Sequence, residues 1–316
     1  MNSKRLIVAV PVAIVLTLAG FAIGPGAQTP VVVQIAGMII PSATPTATNT
    51  PTPTFTPTST NTPSLTPTPL PTFTPTVIPT LAPRVVRVPI LMYHYVSVPP
   101  PDADIYRLDL SVTPAALDAQ MEYLAAEGYH PIRLSDLSDY LLNGKPLPPR
   151  PIALTFDDGY LDNYENALPV LEKYKFPATF FIITQFVDDK KPGYMSWDQI
   201  EELAINGMEI GSHTLDHIDL HGKPRSVQTT EIAGSKAMIE ARIGTPVTSF
   251  CYPSGRYDAQ TISVLRSAGY LAATTEIQGV LQSSSDMYQL RRIRVRGSYS
   301  VSDFAYWIKY FASIGK

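Results

Sequence analysis

Cysteine is almost missing from this chain: its 316 residues include one, Cys251, so no internal disulfide can form. The fold must therefore hold together by packing, even outside a cell. Cys251 also lies too far downstream to be a lipid-modified N-terminal cysteine. Acidic residues are absent from the first 83 positions, where Lys4 and Arg5 are the only charged side chains. An excess of positive charge is lacking as well. Residues 84–316 carry 22 basic against 27 acidic side chains, which removes the electrostatic case for nucleic acid or another polyanion as partner. Histidine is scarce, at five residues, yet three of them lie between His213 and His221. Clustering of a scarce ligand type beside Asp216 and Asp219 points to a metal rather than to chance.

What is present divides the chain into three. After Lys4-Arg5, Leu6 to Ile23 forms an apolar run of 18 residues, broken only mildly by Pro11 and Gly20. That length lies between a signal peptide core and a membrane span of about 20 residues. Pro25 and Gly26 crowd the cleavage candidate at Ala27, so an uncleaved anchor is the expectation, with a cleaved signal as the alternative. Val31 to Ile40 adds a second apolar patch, too short to span. Residues 1–40 thus read as a signal peptide or anchor with a short extension. This is the only segment expected to touch a membrane, and it places the rest at the cell surface or outside it. Residues 41–83 are a loose Thr-Pro repeat with little to bury, hence a stiff, disordered stalk reaching up to about 130 Å at about 3.1 Å per residue.

Residues 84–316 fit one domain. Apolar runs alternate with helical patterns, which makes it an α/β chain. Thr113-Pro114 starts a helix with Leu117, Met121 and Leu124 on its buried stripe, and Ser135 caps a second. Tyr164 to Tyr174 reads helical, Ala178 to Ile183 as a strand, Ser196 caps Trp197 to Asn206, and Arg225 to Ile243 is the longest helix. Strands are expected at Val247 to Tyr252, Tyr270 to Thr275 and Leu290 to Val295, about seven in all.

Two segments carry chemistry. Thr155-Phe156-Asp157-Asp158-Gly159 closes an apolar strand, where neighbouring carboxylates repel and glycine permits a sharp turn. His213-Thr214-Leu215-Asp216-His217 closes another, and its spacing puts both imidazoles on one face if the segment is helical. Alone, the first could be a solvated turn and the second a surface helical turn. Together they supply ligands for a divalent ion with one carboxylate left over as a base, the pattern of metal-assisted hydrolysis.

With these motifs the chain resembles the polysaccharide deacetylases of carbohydrate esterase family 4, which share the NodB homology domain. Thr-Phe-Asp-Asp-Gly is similar to the family's first motif and His-Thr-x-x-His to its second. Val88-Pro89-Ile90-Leu91-Met92-Tyr93-His94 resembles the opening strand of the permuted branch that holds poly-N-acetylglucosamine deacetylases. The resemblance covers about residues 84–316 and implies a deformed (β/α) barrel with a groove at the strand C-termini. It implies Asp158, His213 and His217 as metal ligands and Asp157 as general base. Zinc fits that ligand set best, with Co²⁺, Ni²⁺ or Fe²⁺ as alternatives. The implied activity is removal of N-acetyl groups from a cell-surface N-acetylglucosamine polysaccharide. Peptidoglycan or chitin-oligosaccharide deacetylation, or a carbohydrate-binding relative without turnover, remain alternatives.

Phe250-Cys251-Tyr252-Pro253-Ser254-Gly255 resembles the third family motif but departs from it. Cys251 stands where an arginine is expected and Ser254 where a tyrosine is. The cation that orients the base must come from elsewhere, and Arg292 in Leu290-Arg291-Arg292-Ile293 matches the arginine of the permuted branch. Cys251 itself reads as a packing residue. Tyr160, Tyr252, Pro253 and Ser254, on or beside motifs, are the groove candidates. His94, at a strand end, is the candidate acid for the departing amine, since an imidazole of pKa about 6.5 can hold a proton at working pH.

Overall fold

Strands and helices alternate along residues 82–313, the part of the chain that the computed structural model describes. The apolar N-terminal segment and nearly all of the Thr-Pro stretch lie outside these residues. The strands are β1 (Val85–Arg87), β2 (Ile90–Tyr93), β3 (His130–Ile132), β4 (Pro151–Phe156), β5 (Thr179–Ile182), β6 (Glu209–Ser212), β7 (Ser249–Cys251), β8 (Ala272–Gln278), β9 (Leu281–Ser283) and β10 (Leu290–Arg294). The helices are α1 (Ile105–Leu110), α2 (Pro114–Ala126), α3 (Leu134–Asn143), α4 (Leu168–Tyr174), α5 (Thr184–Asp188), α6 (Trp197–Ile205), α7 (Arg225–Ile243), α8 (Ala259–Ser267) and α9 (Val301–Ser313). Among the described residues no helix is long and apolar enough to cross a membrane.

Seven parallel strands close into a ring in the order β2-β10-β8-β7-β6-β5-β4, and β4 pairs back onto β2 from Ile90↔Ala153 to Tyr93↔Phe156. The expected seven-stranded (β/α) barrel is thus present. Its deformation has a definite seat. On its other edge β4 is shared: Pro151 to Ala153 pair with β3, while Thr155 and Phe156 pair with β5. β3 therefore wedges into the lower half of the β4–β5 seam. A separate two-stranded antiparallel sheet joins β1 to β9, an element absent from the strand pattern read above.

Barrel strands are covered on both faces, which is why β2 and β5 are buried throughout. Tyr93, Phe156 and Phe180 stack in series at 5.1 and 4.8 Å inside this core. Truncating Phe156 to alanine would cost about 3–5 kcal/mol in lost burial and cavity. Gly211 is required on β6, because a Cβ there would lie 2.6 Å from the Phe181 ring and 3.0 Å from the Ser249 carbonyl.

Local signals placed most helices well. Thr113 and Ser196 cap α2 and α6 through side-chain oxygens, as their positions before apolar runs predict, and Asp258 caps α8 in the same way. Two details differ. α3 begins at Leu134 with Arg133, not Ser135, in the capping position, because the Asp136 carboxylate accepts the Arg133 N–H at 3.1 Å. The expected helix from Tyr164 starts instead as a π-helical turn, Asn163–Ala167. That wider turn directs Asn163 and Asn166 onto the carbonyls of His94 and Val96, at 2.7 and 2.8 Å.

Candidate active site

Left-handed backbone at the end of β4 separates the two carboxylates. Asp157 still follows the strand, donating its N–H to the Tyr93 carbonyl. Asp158 and Gly159 then take φ values of +74° and +76°. Such a conformation costs a non-glycine residue roughly 1–2 kcal/mol, and here it turns the Asp158 side chain away from that of its neighbour.

Asp157 is 2% exposed and faces Arg292, which is 1% exposed. Both carboxylate oxygens are clamped: Nη1 to Oδ1 at 2.7 Å and Nη2 to Oδ2 at 2.8 Å. The remaining guanidinium directions reach the Thr275 carbonyl, Thr155 Oγ1 and Cys251 Sγ at 2.9, 3.2 and 3.2 Å. Cys251 thus lines the space beside the base, and the guanidinium comes from β10. Burial opposes ionisation of Asp157, but the Arg292 charge leads the effects that outweigh it, and its pKa lies below the ordinary 3.8. His94 Nε2 lies 3.8 Å from Asp157 Oδ2.

Asp158 has different company. Its Oδ1 lies 3.2 Å from His213 Nε2 and 3.5 Å from His217 Nε2. Nevertheless this buried oxygen has no hydrogen-bond partner. The reason is the His213 tautomer that fits the site: Nδ1 sits 2.8 Å from the Cys251 carbonyl, the geometry of a donor, which leaves Nε2 as a lone pair. Three electron-pair donors of Asp158, His213 and His217 lie within 4.8 Å of one another. Lone pairs converging without a proton between them fit a divalent cation, and the oxygen-and-imidazole set is that of zinc and its transition-metal neighbours. Burial brings the His217 imidazole down to about 4.

The histidine segment is a loop and not the helical turn that spacing allowed. Thr214 and His217 both adopt positive φ, +70° and +57°. Thr214 Oγ1 accepts the His217 N–H at 2.9 Å. Glu231, buried on α7, accepts the N–H groups of Leu215 and Asp216, each at 3.1 Å. No sequence signal marked Glu231, because its partners lie 15 and 16 positions away across a loop. His221 is exposed and outside the cluster.

Three sequence expectations change. Tyr252 lines no groove: it is 1% exposed, stacks on Tyr257 and donates its hydroxyl to the Tyr288 carbonyl. Pro253 is buried with it, whereas Ser254 is exposed at φ +52°. Burial also pushes the His94 pKa below 6.5 against the pull of Asp157 and Asp158, so a resting proton on this imidazole is disfavoured at neutral pH. Tyr160 stays at the rim, half-buried and stacked on Tyr95 with ring centroids 3.7 Å apart.

Comparison with known proteins places this geometry. A family model described as polysaccharide deacetylase matches residues 144–273. YxkH of Bacillus subtilis, named as a polysaccharide deacetylase, is 34% identical over 223 residues, 71% of this chain and 76% of that one. A poly-beta-1,6-N-acetyl-D-glucosamine N-deacetylase of Staphylococcus epidermidis is 27% identical over 225 residues, 65% of this chain and 78% of the relative. Among solved structures, the Streptococcus pyogenes deacetylase PplD in complex with acetate superposes with a TM-score of 0.66 at 29% identity, covering 71% of this chain and 99% of that one.

Proposed function

Because the chain belongs to the polysaccharide deacetylase family, we propose that it is a metal-dependent hydrolase that removes N-acetyl groups from an N-acetylglucosamine polysaccharide at the cell surface. One observation carries this reading: three lone-pair donors meet at Asp158 Oδ1, beside a second carboxylate held by a buried guanidinium. An ion held by Asp158, His213 and His217, with zinc favoured by the donor set, supplies Lewis acidity that acidifies water and polarises a carbonyl.

The chain's own groups do the proton work. Asp157, ionised and outside the ligand set, takes a proton from the attacking water as oxygen adds to the acetyl carbon. Arg292 positions that carboxylate and keeps it charged. Collapse of the tetrahedral adduct breaks the C–N bond, and the amine needs a proton as it departs. His94 is the proposed donor. Its neutral resting state means that the proton is acquired during the cycle, and Asp157 Oδ2, 3.8 Å from Nε2, is the nearby source.

The test is deacetylation of defined oligosaccharides by the full chain, metal-stripped and then reloaded, read as acetyl mass lost. Turnover in the stripped protein, with an empty site verified by metal analysis, would overturn the metal mechanism. A panel of β-1,6 and β-1,4 N-acetylglucosamine oligomers and peptidoglycan fragments separates the candidate glycans, and metal loading with no turnover on any of them would favour a binding protein. Attachment to the outer face of a membrane through the N-terminal apolar run rests on Lys4-Arg5 and Leu6 to Ile23. Recovery of a processed, soluble form on fractionation would replace the anchor by a cleaved signal.

A further inference from the structure

α9 shows solvent a cluster of rings that the reaction centre does not use. Phe304 and Ile308 face inward, and the Phe304 ring meets Tyr123 of α2 edge-on at 6.0 Å. Turned the other way, Tyr306 and Tyr310 are 57% and 42% exposed and stack at 5.8 Å. Half-buried Trp307 lies 5.5 Å from Tyr310 and 5.8 Å from Phe311, and Tyr299, ahead of the helix, stacks on it at 6.4 Å.

Two hollows adjoin these rings. One, of about 360 Å³, takes Arg87, Arg291 and Phe311 into its lining; the other, of about 200 Å³, shares Phe311 and adds Arg294, Arg296 and Trp307. Among the described residues no carboxylate lines either one. Arg294 and Arg296 are answered from outside the hollows, by Glu276 and Asp109 at 2.8 and 2.7 Å. Arg291 is exposed and has no carboxylate partner among the described residues. In a domain where acidic side chains outnumber basic ones, this lining inverts the charge locally.

The chain also enters the domain at this face. β1 is the first strand after the Thr-Pro stretch, and its Arg87 donates through Nη2 to the Phe311 carbonyl at 2.9 Å. The point from which the domain hangs is thus next to these rings and arginines.

We propose that α9 and the arginines beside it dock on the surface of a bilayer that contains anionic lipid, a second membrane contact beyond the N-terminal apolar run. Tyrosine and tryptophan rings, apolar in body and polar at the tip, settle at headgroup level, and guanidinium forks match phosphate oxygens. A small soluble phosphate would answer the arginines and leave Tyr306 and Tyr310 in water, whereas a lipid surface engages both. Contacts of this kind are weak singly, and a tether that enters beside them raises their effective concentration at the surface. α9 follows the last ring strand and packs on the outer wall, so docking leaves the strand ends that bear Asp157 and Asp158 open.

The experiment adds the full-length protein to vesicles of phosphatidylcholine, with and without phosphatidylglycerol, whose acyl chains carry bromine. Quenched tryptophan emission reports contact, and Trp307→Phe, which leaves Trp197 as the only tryptophan, assigns the signal. Quenching is expected in the anionic vesicles, smaller in the neutral ones, and relieved by salt. Arg291→Gln should lower the ratio of docked to free domain about fivefold, and Tyr310→Ser should lower it as well. Lys223→Gln, an exposed cation ahead of α7, is the control and should match wild type. Quenching that is absent, equal in the two kinds of vesicle, or unchanged in both variants would overturn the proposal. Absent quenching together with a dimer in sedimentation that Tyr310→Ser dissolves would give the face to a second copy of the chain instead. Contact is read at Trp307 and not by recovery with the vesicles, so a chain held only by its N-terminal run reads as unquenched, and the anchor and the docking face fail separately.

Discussion

Asp157 and Asp158 are adjacent in the chain and both buried, at 2% and 8% exposure, yet their surroundings are opposite. Around Asp157 every charge is answered: a guanidinium covers both oxygens, and that guanidinium is itself saturated by a carbonyl, a hydroxyl and a thiol. Around Asp158 the nearest groups are lone pairs, and one oxygen is left without a partner. A carboxylate clamped in this way is held ionised and fixed in place, as the proposed base requires. An unsaturated one among imidazoles is set to hold a cation. Burial alone does not assign these roles; the sign of the neighbouring partial charges does.

The contrast can be broken by experiment. The largest expected effect is on Asp157→Asn, which should lose about 10⁴-fold in turnover while keeping its metal, whereas Asp158→Asn should lose the metal itself. Equal metal loss in the two variants would erase the distinction. Next, Arg292→Ala should lower the free energy of unfolding by about 3–5 kcal/mol, because it leaves the Asp157 charge buried and unpaired. Denaturant titration of both single variants and the double should show the double losing less than the sum.

His94→Ala should cost about 10²-fold on an acetamide and less on an aryl acetate, whose phenolate leaves without a proton. Equal losses on both would return His94 to the scaffold. On the other side of the site, Glu231→Ala should weaken metal retention by about 10- to 100-fold in competition with a chelator, with Glu231→Gln recovering most of it through its remaining amide oxygen. Unchanged retention would mean that the loop holds His217 without Glu231.

The smallest effect is on acid stability. The folded pKa of Asp157 lies below 3.8, so its pairing stabilises the fold fully above that pH and is lost as pH falls through the folded value. Asp157→Asn should therefore flatten the stability profile below about pH 4 relative to wild type. An unchanged slope there would show that other carboxylates carry the acid transition.

Parts of this site were readable in the chain and parts were not, for physical reasons. The Asp-Asp-Gly turn and the paired histidines announce themselves because each is a local arrangement of scarce or mutually repelling groups. Arg292 was reachable only through resemblance, since it lies 135 positions from Asp157 and sits on another strand. Glu231 was missed because a glutamate on a long helix looks like an ordinary surface residue. Tyr252 was misplaced because position beside a motif does not say which way a ring points.

By itself the sequence determined the period of its strands and helices, the caps at Thr113 and Ser196, the scarcity of cysteine and positive charge, and the residue types available for chemistry. These follow from local sterics, side-chain reach and composition, which act over a few residues. Closure of the ring decided the rest. Pairing β4 with β2 brings His94 beside Asp157, β10 carries Arg292 to the same point, and positive φ at Asp158, Thr214 and His217 aims the ligands at one another. Such contacts join positions far apart in the chain. They are selected by packing and by the cost of leaving buried charges unanswered, terms that exist only once the barrel has closed.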